Sequence, residues 1–259
     1  MTVCRTIVDV PRDGAWNMAI DEVLLARATA EQRLQLRVYE WNVATVSLGY
    51  FQKVAERQQH PPSLGCPFVR RPSGGGAIVH DREVTYSLAV PAGREGDPGV
   101  LYRRVHTALV ELLGRLGARA HLCETADQRE KEPLLTDRPS IGPRGGSVPL
   151  LCFQRHSPGD VLLDGHKVIG SAQRRGQGAI LQHGSVLLDT SPAAPELPGI
   201  LNLAPVSLSR GEWSRHLQDA LARAFDCTPV EKGLTEAEIG AAEHLVATKY
   251  GCDPWNRRR

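Results

Sequence analysis

The sequence lacks the features that mark several classes of protein. In its 259 residues no apolar run approaches the roughly 20 residues of a membrane-spanning helix, and the first residues contain no apolar signal-peptide segment. The formal net charge is only +2, which argues against attraction of the whole chain to nucleic acid or to an anionic membrane. We therefore expect a cytoplasmic protein, with monomer as the default state, and interpret Arg257, Arg258 and Arg259 as a solvated tail.

Paired cysteines and internal repeats are also absent. The six cysteines form no CxxC pair, which argues against a zinc ribbon or a thioredoxin-type site. No HxxH or HExxH spacing indicates a metal site, and no repeat indicates a solenoid or a propeller. In a reducing compartment most of the cysteines are expected to be thiols.

Apolar periodicity predicts an α+β (mixed α/β) fold, read as one domain over residues 1–259 without an accessory domain. Helices are predicted over 14–32, 100–117, 211–225 and 235–250, the last opened by a capping box of Thr235 and Glu238. Short strands are predicted around 34–38, 45–50 and 67–71, and another over 178–188. Two hairpins are predicted, one over 74–91 and one turning at Asp164 and Gly165. Residues 127–149 are interpreted as a long surface loop.

Three consecutive glycines stand out in the run RRPSGGGAIVHD, residues 70–81. Glycines let backbone N–H groups approach an anionic or polar ligand without a Cβ in the way, and the arginines supply fixed charge. The run matches neither the GxGxxG nor the P-loop pattern. The alternative is that the glycines form a hairpin turn with a purely structural role. Asp81 can equally stabilise a loop or contact a ligand.

A second chemistry-bearing segment covers residues 152–184. Lys167 lies on the second arm of the predicted hairpin, where its ammonium can face a pocket and stabilise a nearby thiolate at Cys152. The alternative is a buried thiol and an exposed lysine. Of the histidines here and in the glycine run, His80 and His183 are selected as pocket-lining residues, whereas His156 and His166 are given no role.

Together these residues resemble the lipoate-protein ligase and octanoyltransferase superfamily, whose fold is related to that of biotin-protein ligases. The resemblance covers nearly the whole chain through NMAIDEVLL, LRVYEWNVATVSLGYFQ, RRPSGGGAIVHDREVTYSL, DGHKVIGSAQRRGQGAILQHGSVLL and KYGCDPWN. Within the superfamily, LCFQRHSPGDVLLDGHKVIGSAQ is similar to the LipM-type octanoyltransferases. In that group an active-site cysteine just upstream of the lysine hairpin takes octanoate as a thioester, so the resemblance implies that role for Cys152.

The resemblance implies an octanoyltransferase of lipoate biosynthesis with Cys152 and Lys167 as catalytic residues. The donor implied is octanoyl-acyl carrier protein, and the acceptor is a lysine of a lipoyl-domain protein, such as the glycine cleavage H protein or a 2-oxoacid dehydrogenase subunit. No cofactor is expected. We expect the octanoyl chain beside residues 74–77, and oxyanion donors in the backbone of 170–172. The predicted substrate-binding residues are Arg71, Ser73, Gly74, Gly75, Gly76, Ala77, His80, Gly170, Ser171, Ala172, His183 and Gly184.

Three alternatives remain. An ATP-dependent lipoate-protein ligase would use ATP and magnesium, with Arg71 and the glycines binding an adenylate. A related class moves octanoyl groups between lipoyl proteins, and a non-catalytic subunit would bind the carrier or the lipoyl domain in the same groove. Two features depart from the LipM-type pattern. The glycines 74–76 resemble the ligase form of the loop, whereas some octanoyltransferases have a larger residue at the position of Gly76. Residues 156–159 lack the aromatic residue often found in this group, which bears on acyl-chain or partner preference.

Overall fold

The computed structural model describes residues 2–93, 97–124, 148–176 and 178–259. The helices are α1 (Gly14–Glu31), α2 (Pro98–Arg115), α3 (Ile200–Leu203), α4 (Arg210–Ala224), α5 (Glu236–Leu245) and α6 (Asp253–Asn256). The strands are β1 (Thr2–Val8), β2 (Gln35–Tyr39), β3 (Thr45–Leu48), β4 (Phe68–Arg70), β5 (Ile78–His80), β6 (Glu83–Pro91), β7 (His121–Leu122), β8 (Val161–Leu163), β9 (His166–Gly176), β10 (Ala179–Leu187) and β11 (Cys227–Glu231). Within these ranges no helix is both long enough and apolar enough to cross a bilayer.

The strands form two sheets, and the mixed α/β fold is as expected from the sequence. Eight strands lie in the order β11-β1-β2-β6-β10-β9-β8-β7, with β1 parallel to both of its neighbours and the other pairs antiparallel. The smaller sheet has the order β4-β3-β5. Helices α2 and α4 pack on one face of the large sheet, and α1 and α5 cover the other face near β2.

The hairpin predicted over residues 74–91 is wrong. Its two strands, β5 and β6, belong to different sheets: β5 pairs with β3, whereas β6 pairs with β2 and β10. The HDRE link carries the chain from the small sheet to the large one, and His80 and Glu83 at its two ends are hydrogen-bonded across it at 2.9 Å. Strands β1 and β11 were not predicted. They are joined by a disulfide between Cys4 and Cys227, and the other four cysteines are outside disulfides.

The other local predictions agree with the structure. Helix α2 ends before Gly117, as predicted, and the φ of +88° at that position suits glycine. The helix begins two residues earlier than predicted, where Asp97 caps it by accepting from the Gly99 N–H. The two-residue turn at Asp164 and Gly165 has φ values of 48° and 75°, as a type I′ hairpin requires. The loop predicted over 127–149 lies outside the described residues except for Val148 and Pro149.

The last helices of the chain support the small sheet. Residues Val246–Tyr250 continue α5 as a π-helical turn, and α6 follows. Asn256 at the end of α6 accepts from the Arg70 backbone N–H at 2.8 Å, and the Asn256 carbonyl accepts from the Arg70 guanidinium. The position of β4, and of the glycine run that follows it, therefore depends on where α5 is held.

An ion pair holds α5 against the large sheet. Arg5 on β1 donates to both Glu238 carboxylate oxygens at 2.6 and 2.8 Å, and Glu238 is 1% exposed. The same carboxylate accepts from the backbone N–H of Thr235, which completes the predicted capping box. Burial alone would raise the pKa of Glu238, but the hydrogen bonds from Arg5 and Thr235 lower it to about 2.

We expect Glu238→Gln to lower the free energy of unfolding at pH 7 by about 1–2 kcal/mol, allowing for solvent screening. A depressed carboxyl pKa stabilises the fold above the unfolded value near 4.5, and this stabilisation is lost as the pH falls through about 2. Urea unfolding at several pH values should therefore show the difference from the parent shrinking below about pH 4.5. The exposed Glu236→Gln in the same turn is the control. An undiminished difference at pH 2 would contradict the assignment.

Candidate active site

Cys152 and Lys167 lie side by side. Cys152 begins a 3-10 turn after Leu151, and Lys167 is the second residue of β9, so the Asp164 and Gly165 turn sets its position. The Lys167 ammonium is 3.5 Å from the Cys152 sulfur and 3.4 Å from the Cys152 carbonyl oxygen. Lys167 is 5% exposed, whereas Cys152 is half-buried. A buried ammonium in contact with a reachable sulfur stabilises negative charge on that sulfur.

Asp160 completes the charge arrangement, and the sequence did not single it out. Its Oδ2 accepts from the Lys167 ammonium at 2.7 Å and from the Ser157 N–H, and its Oδ1 accepts from the Tyr102 hydroxyl on α2. Burial alone would lower the pKa of Lys167, but attraction to Cys152 and Asp160 and the hydrogen bonds to both raise it. Lys167 is therefore a cation at neutral pH.

The path of the Lys167 side chain requires a glycine at position 170. A Cβ on Gly170 would lie 2.5 Å from Lys167 Cε and 3.1 Å from its Nζ. The register of β8 and β9 shifts between Val161 and Leu162, where β9 has one extra residue, so the regular alternation of side chains is broken and Lys167 can lie on the same face as Gly170. The missing side chain of Gly170 leaves space there for the end of the lysine.

The glycine run packs directly on the cysteine segment. Ala77 N–H donates to the Leu150 carbonyl at 2.9 Å, and Cys152 N–H donates to the Ala77 carbonyl at 2.8 Å. A Cβ on Gly76 would lie 3.0 Å from the Cys152 nitrogen and 3.1 Å from its Cα. Gly75 has a φ of +88° and is exposed, and Gly74 faces the Phe51 ring. Small residues at 76 and 77 thus bring this loop against the nucleophile candidate.

Arg71 holds the glycine loop from inside. Its guanidinium donates to the carbonyls of Gly74 and Gly76 at 2.9 and 2.6 Å, and to the Ser47 carbonyl and hydroxyl. Burial lowers the pKa of Arg71 to about 10, partly opposed by attraction to Cys152, so it stays charged at neutral pH. Arg71 is therefore a second buried cation near the sulfur, and its donors are largely used within the protein.

His183 connects the loop to α1. Its Nε2 is 2.5 Å from the Ser73 hydroxyl, and its Nδ1 donates to Asp21 at 3.2 Å. This order of groups is that of a hydrolase triad, but Ser73 is only 1% exposed. Asp21 also accepts from Arg37, Tyr39 and Ser87. The chain of contacts thus fixes Ser73 in place and offers no accessible hydroxyl to a substrate.

His80 forms a similar connection to the large sheet. Its Nε2 is 2.7 Å from the Ser47 hydroxyl, its Nδ1 is 2.9 Å from Glu83, and its ring stacks on Trp41 at 3.9 Å. Burial lowers the pKa of His80, with Glu83 opposing the change. Both ring nitrogens thus have protein partners. The Ser47 hydroxyl also accepts a hydrogen bond from Arg71.

A buried chain of hydroxyls lies behind β9. The Ser171 hydroxyl is 2.5 Å from the Tyr86 hydroxyl and 2.6 Å from His106 Nε2. Burial lowers the pKa of His106 to about 4, so the imidazole is neutral, with Nδ1 against the Gly159 carbonyl. A Cβ on Gly184, which pairs with Ser171, would lie 2.5 Å from both hydroxyl oxygens. Through His106, this chain of hydroxyls holds the Gly159 carbonyl in place, and with it the neighbouring residue Asp160.

The structure brings most of the predicted residues into one region. Gly76 and Ala77 pack on Cys152, and Gly170 packs on Lys167. Ser171 and Gly184 take part in the hydroxyl chain, and Ala172 pairs with His183. Lys167 also lines a cavity of about 230 Å³ with a mostly polar lining that includes His156, His166 and Glu196. Within the described residues, no group of three or more His, Cys, Asp or Glu residues is placed to hold a metal ion.

Comparison with known proteins gives consistent matches. The family model for the lipoyl protein ligase A/B catalytic domain matches residues 13–210. Octanoyltransferase LipM of Kyrpidia tusciae is 36% identical, with 95% of each chain covered, and octanoyltransferase LipM of Bacillus subtilis is 32% identical, with 95% of this chain and 94% of the relative covered. Among solved structures, lipoate-protein ligase A bound with ATP has a TM-score of 0.78 at 22% identity, with 99% of both chains covered.

We expect Gly170→Ala to displace the Lys167 ammonium and to lower the rate of Cys152 alkylation by iodoacetamide at pH 7 about tenfold, because less negative charge on the sulfur is stabilised. Peptide mass spectrometry separates Cys152 from the other cysteines. Gly176→Ala, in open space at the end of the same strand, is the matched control. Equal alkylation rates in the two variants would show that the lysine does not depend on Gly170.

Proposed function

This chain belongs to the lipoyl protein ligase A/B catalytic domain family, and we propose that it is an octanoyltransferase of lipoate biosynthesis that works through a thioester on Cys152. The donor in this proposal is octanoyl-acyl carrier protein, and the acceptor is a lysine of a lipoyl-domain protein. The observation that carries the proposal is the contact of the Lys167 ammonium with the Cys152 sulfur at 3.5 Å. Full-length similarity to octanoyltransferases supports the reaction class.

In the first step the Cys152 thiolate attacks the carbonyl carbon of the carrier thioester. A new carbon–sulfur bond forms to Cys152, the bond to the carrier sulfur breaks, and the carrier leaves as a thiolate that takes a proton from water. One thioester replaces another, so the step is nearly isoenergetic. Lys167 stabilises the thiolate before attack, and Asp160 keeps the ammonium in position.

In the second step the neutral amine of the acceptor lysine attacks the octanoyl-Cys152 carbonyl. The carbon–nitrogen bond of the amide forms, the carbon–sulfur bond breaks, and the amine proton passes to the departing sulfur. The backbone of 170–172 remains our candidate for oxyanion donors. On the β8 side, no described strand pairs with β9 beyond Ile169, so the sheet does not use this edge of the backbone. The Ser171 N–H is hydrogen-bonded to the Tyr102 oxygen and would have to exchange that partner for the oxyanion.

The position of Arg71 favours transfer over ligation. A ligase needs cationic donors for the phosphate of an acyl-adenylate, whereas the Arg71 guanidinium is buried and bonded to Ser47, Gly74 and Gly76. We therefore propose that the enzyme needs neither ATP nor magnesium.

Intact-protein mass spectrometry tests the thioester. Mixed with octanoyl-acyl carrier protein and no ATP, the parent should gain one octanoyl group that hydroxylamine removes, because thioesters are cleaved by this amine. Cys152→Ala should gain none, and Cys66→Ala, which removes another half-buried cysteine, should react like the parent. ATP-dependent modification of a lipoyl domain that survives in Cys152→Ala would make the protein a ligase instead.

Asp160→Asn tests the charge of Lys167. The amide can still accept from Lys167 and donate to Tyr102. Burial lowers the pKa of Lys167 and the charge of Asp160 raises it, so removal of that charge makes the pKa of Lys167 fall. The rate of Cys152 acylation by octanoyl-pantetheine should decline at high pH, where Lys167 loses its proton. In the variant we expect this decline to begin at a pH about one unit lower. An unmoved limb with a lowered maximum would indicate that Asp160 only supports the fold.

A further inference from the structure

Residues 257–259 fold back onto the protein instead of extending into solvent. The Arg258 guanidinium stacks on Tyr50 at 4.4 Å and on Trp255 at 5.1 Å, and the Arg259 guanidinium lies 5.4 Å from the Phe51 ring. The Arg259 carbonyl accepts from the Val54 N–H at 3.1 Å. All three residues are exposed, as expected of a solvated tail, but Arg258 and Arg259 contact aromatic rings of the fold.

The arginines border the candidate active site. Tyr50 N–H donates to the Ser73 carbonyl at 2.8 Å, and Gln52 donates to the Leu150 carbonyl, two residues before Cys152. The Phe51 ring lies 3.9 Å from the position of a Cβ on Gly74, and 63% of Phe51 is exposed. Lys53, Arg258, Arg259 and Phe51, here called the basic rim, thus follow the glycine loop outward from the sulfur.

The positive charge of the basic rim is local. The whole chain carries only +2, yet residues 50–57 and 253–259 together contain five basic and two acidic side chains. Arg257 pairs with Asp253 at 3.0 Å. In the described part of the chain, Arg258 and Arg259 stack on rings and have no acidic partner within salt-bridge distance. Burial lowers the pKa of the neighbouring Arg70, and the charges of Arg258 and Arg259 lower it further.

We propose that the basic rim docks the acidic carrier protein that donates the octanoyl group, an inference that rests on the proposed function. Such a donor brings its thioester on a phosphopantetheine arm, whose phosphodiester is an anion that stacked guanidinium groups can bind. The acceptor instead brings a lysine, which is a cation until it loses a proton. A cationic surface repels such a group, so the basic rim suits the donor better than the acceptor. Exposed Phe51, between the arginines and the glycine loop, gives the arm an apolar surface to follow toward Cys152.

The test compares two octanoyl donors with the same thioester. In the double variant Arg258→Glu and Arg259→Glu, acylation of Cys152 by octanoyl-carrier protein at low salt should slow at least thirtyfold, through a higher KM, and lose its dependence on salt. Acylation by octanoyl-pantetheine, which has neither protein nor phosphate, should change less than twofold. Arg215→Glu with Arg223→Glu, an equal charge change on the exposed side of α4, should behave like the parent with both donors.

Three results would overturn the proposal. Equal slowing with octanoyl-pantetheine would show that the arginines only shape the site. An unchanged carrier reaction together with slower transfer from pre-acylated enzyme to a lipoyl domain would assign the rim to the acceptor. If the parent enzyme is acylated by neither donor, the proposed function itself is contradicted. This result differs from a failure of the docking proposal alone, because it is seen in the parent without any rim variant.

Discussion

The site depends on the burial of one ammonium, that of Lys167, between a carboxylate and a sulfur. A buried cation without a partner would lose its proton, so the arrangement holds only if Asp160 and Cys152 are both in contact with it. The surrounding fold satisfies that condition. Gly170 leaves space for the lysine stem, and Tyr102 orients the carboxylate from α2. The position of the candidate nucleophile and its lysine is thus set by three separate elements of the fold.

The second constraint is the shape of the glycine loop. Its backbone is held by Arg71 from within, and by His183 through Ser73 and His80 through Ser47. Arg71 also lies close enough to Cys152 for the two charges to attract each other. A buried arginine whose donors bind carbonyls contributes positive potential to the site without offering a phosphate-binding surface. In our proposal, this arrangement of Arg71 suits a reaction without an adenylate on a fold that is also found in an ATP-bound ligase.

Local patterns predicted the elements whose signals are local. The capping box of α5, the stop at Gly117 and the Asp164 turn each depend on a few neighbouring residues, and each agrees with the structure. The 74–91 hairpin failed because alternation identifies a strand but not the sheet it joins. Cys152 and Lys167 were found through motifs, whereas Asp160 was not, since its partner Tyr102 lies 58 residues away. The stacking of Arg258 on Tyr50 and Trp255 is likewise invisible in the sequence.

The charge balance around Lys167 also changes during the proposed reaction. Before acylation, two interactions oppose the effect of burial on Lys167: one with the Cys152 sulfur and one with Asp160. Formation of the thioester removes the negative charge on sulfur, so only Asp160 remains, and the pKa of Lys167 falls. The proton of Lys167 is therefore held less tightly while Cys152 carries the acyl group. After the amide has formed, the proton that the amine gave to the Cys152 sulfur passes to water, the thiolate is restored, and the charged lysine is favoured again before the next donor binds.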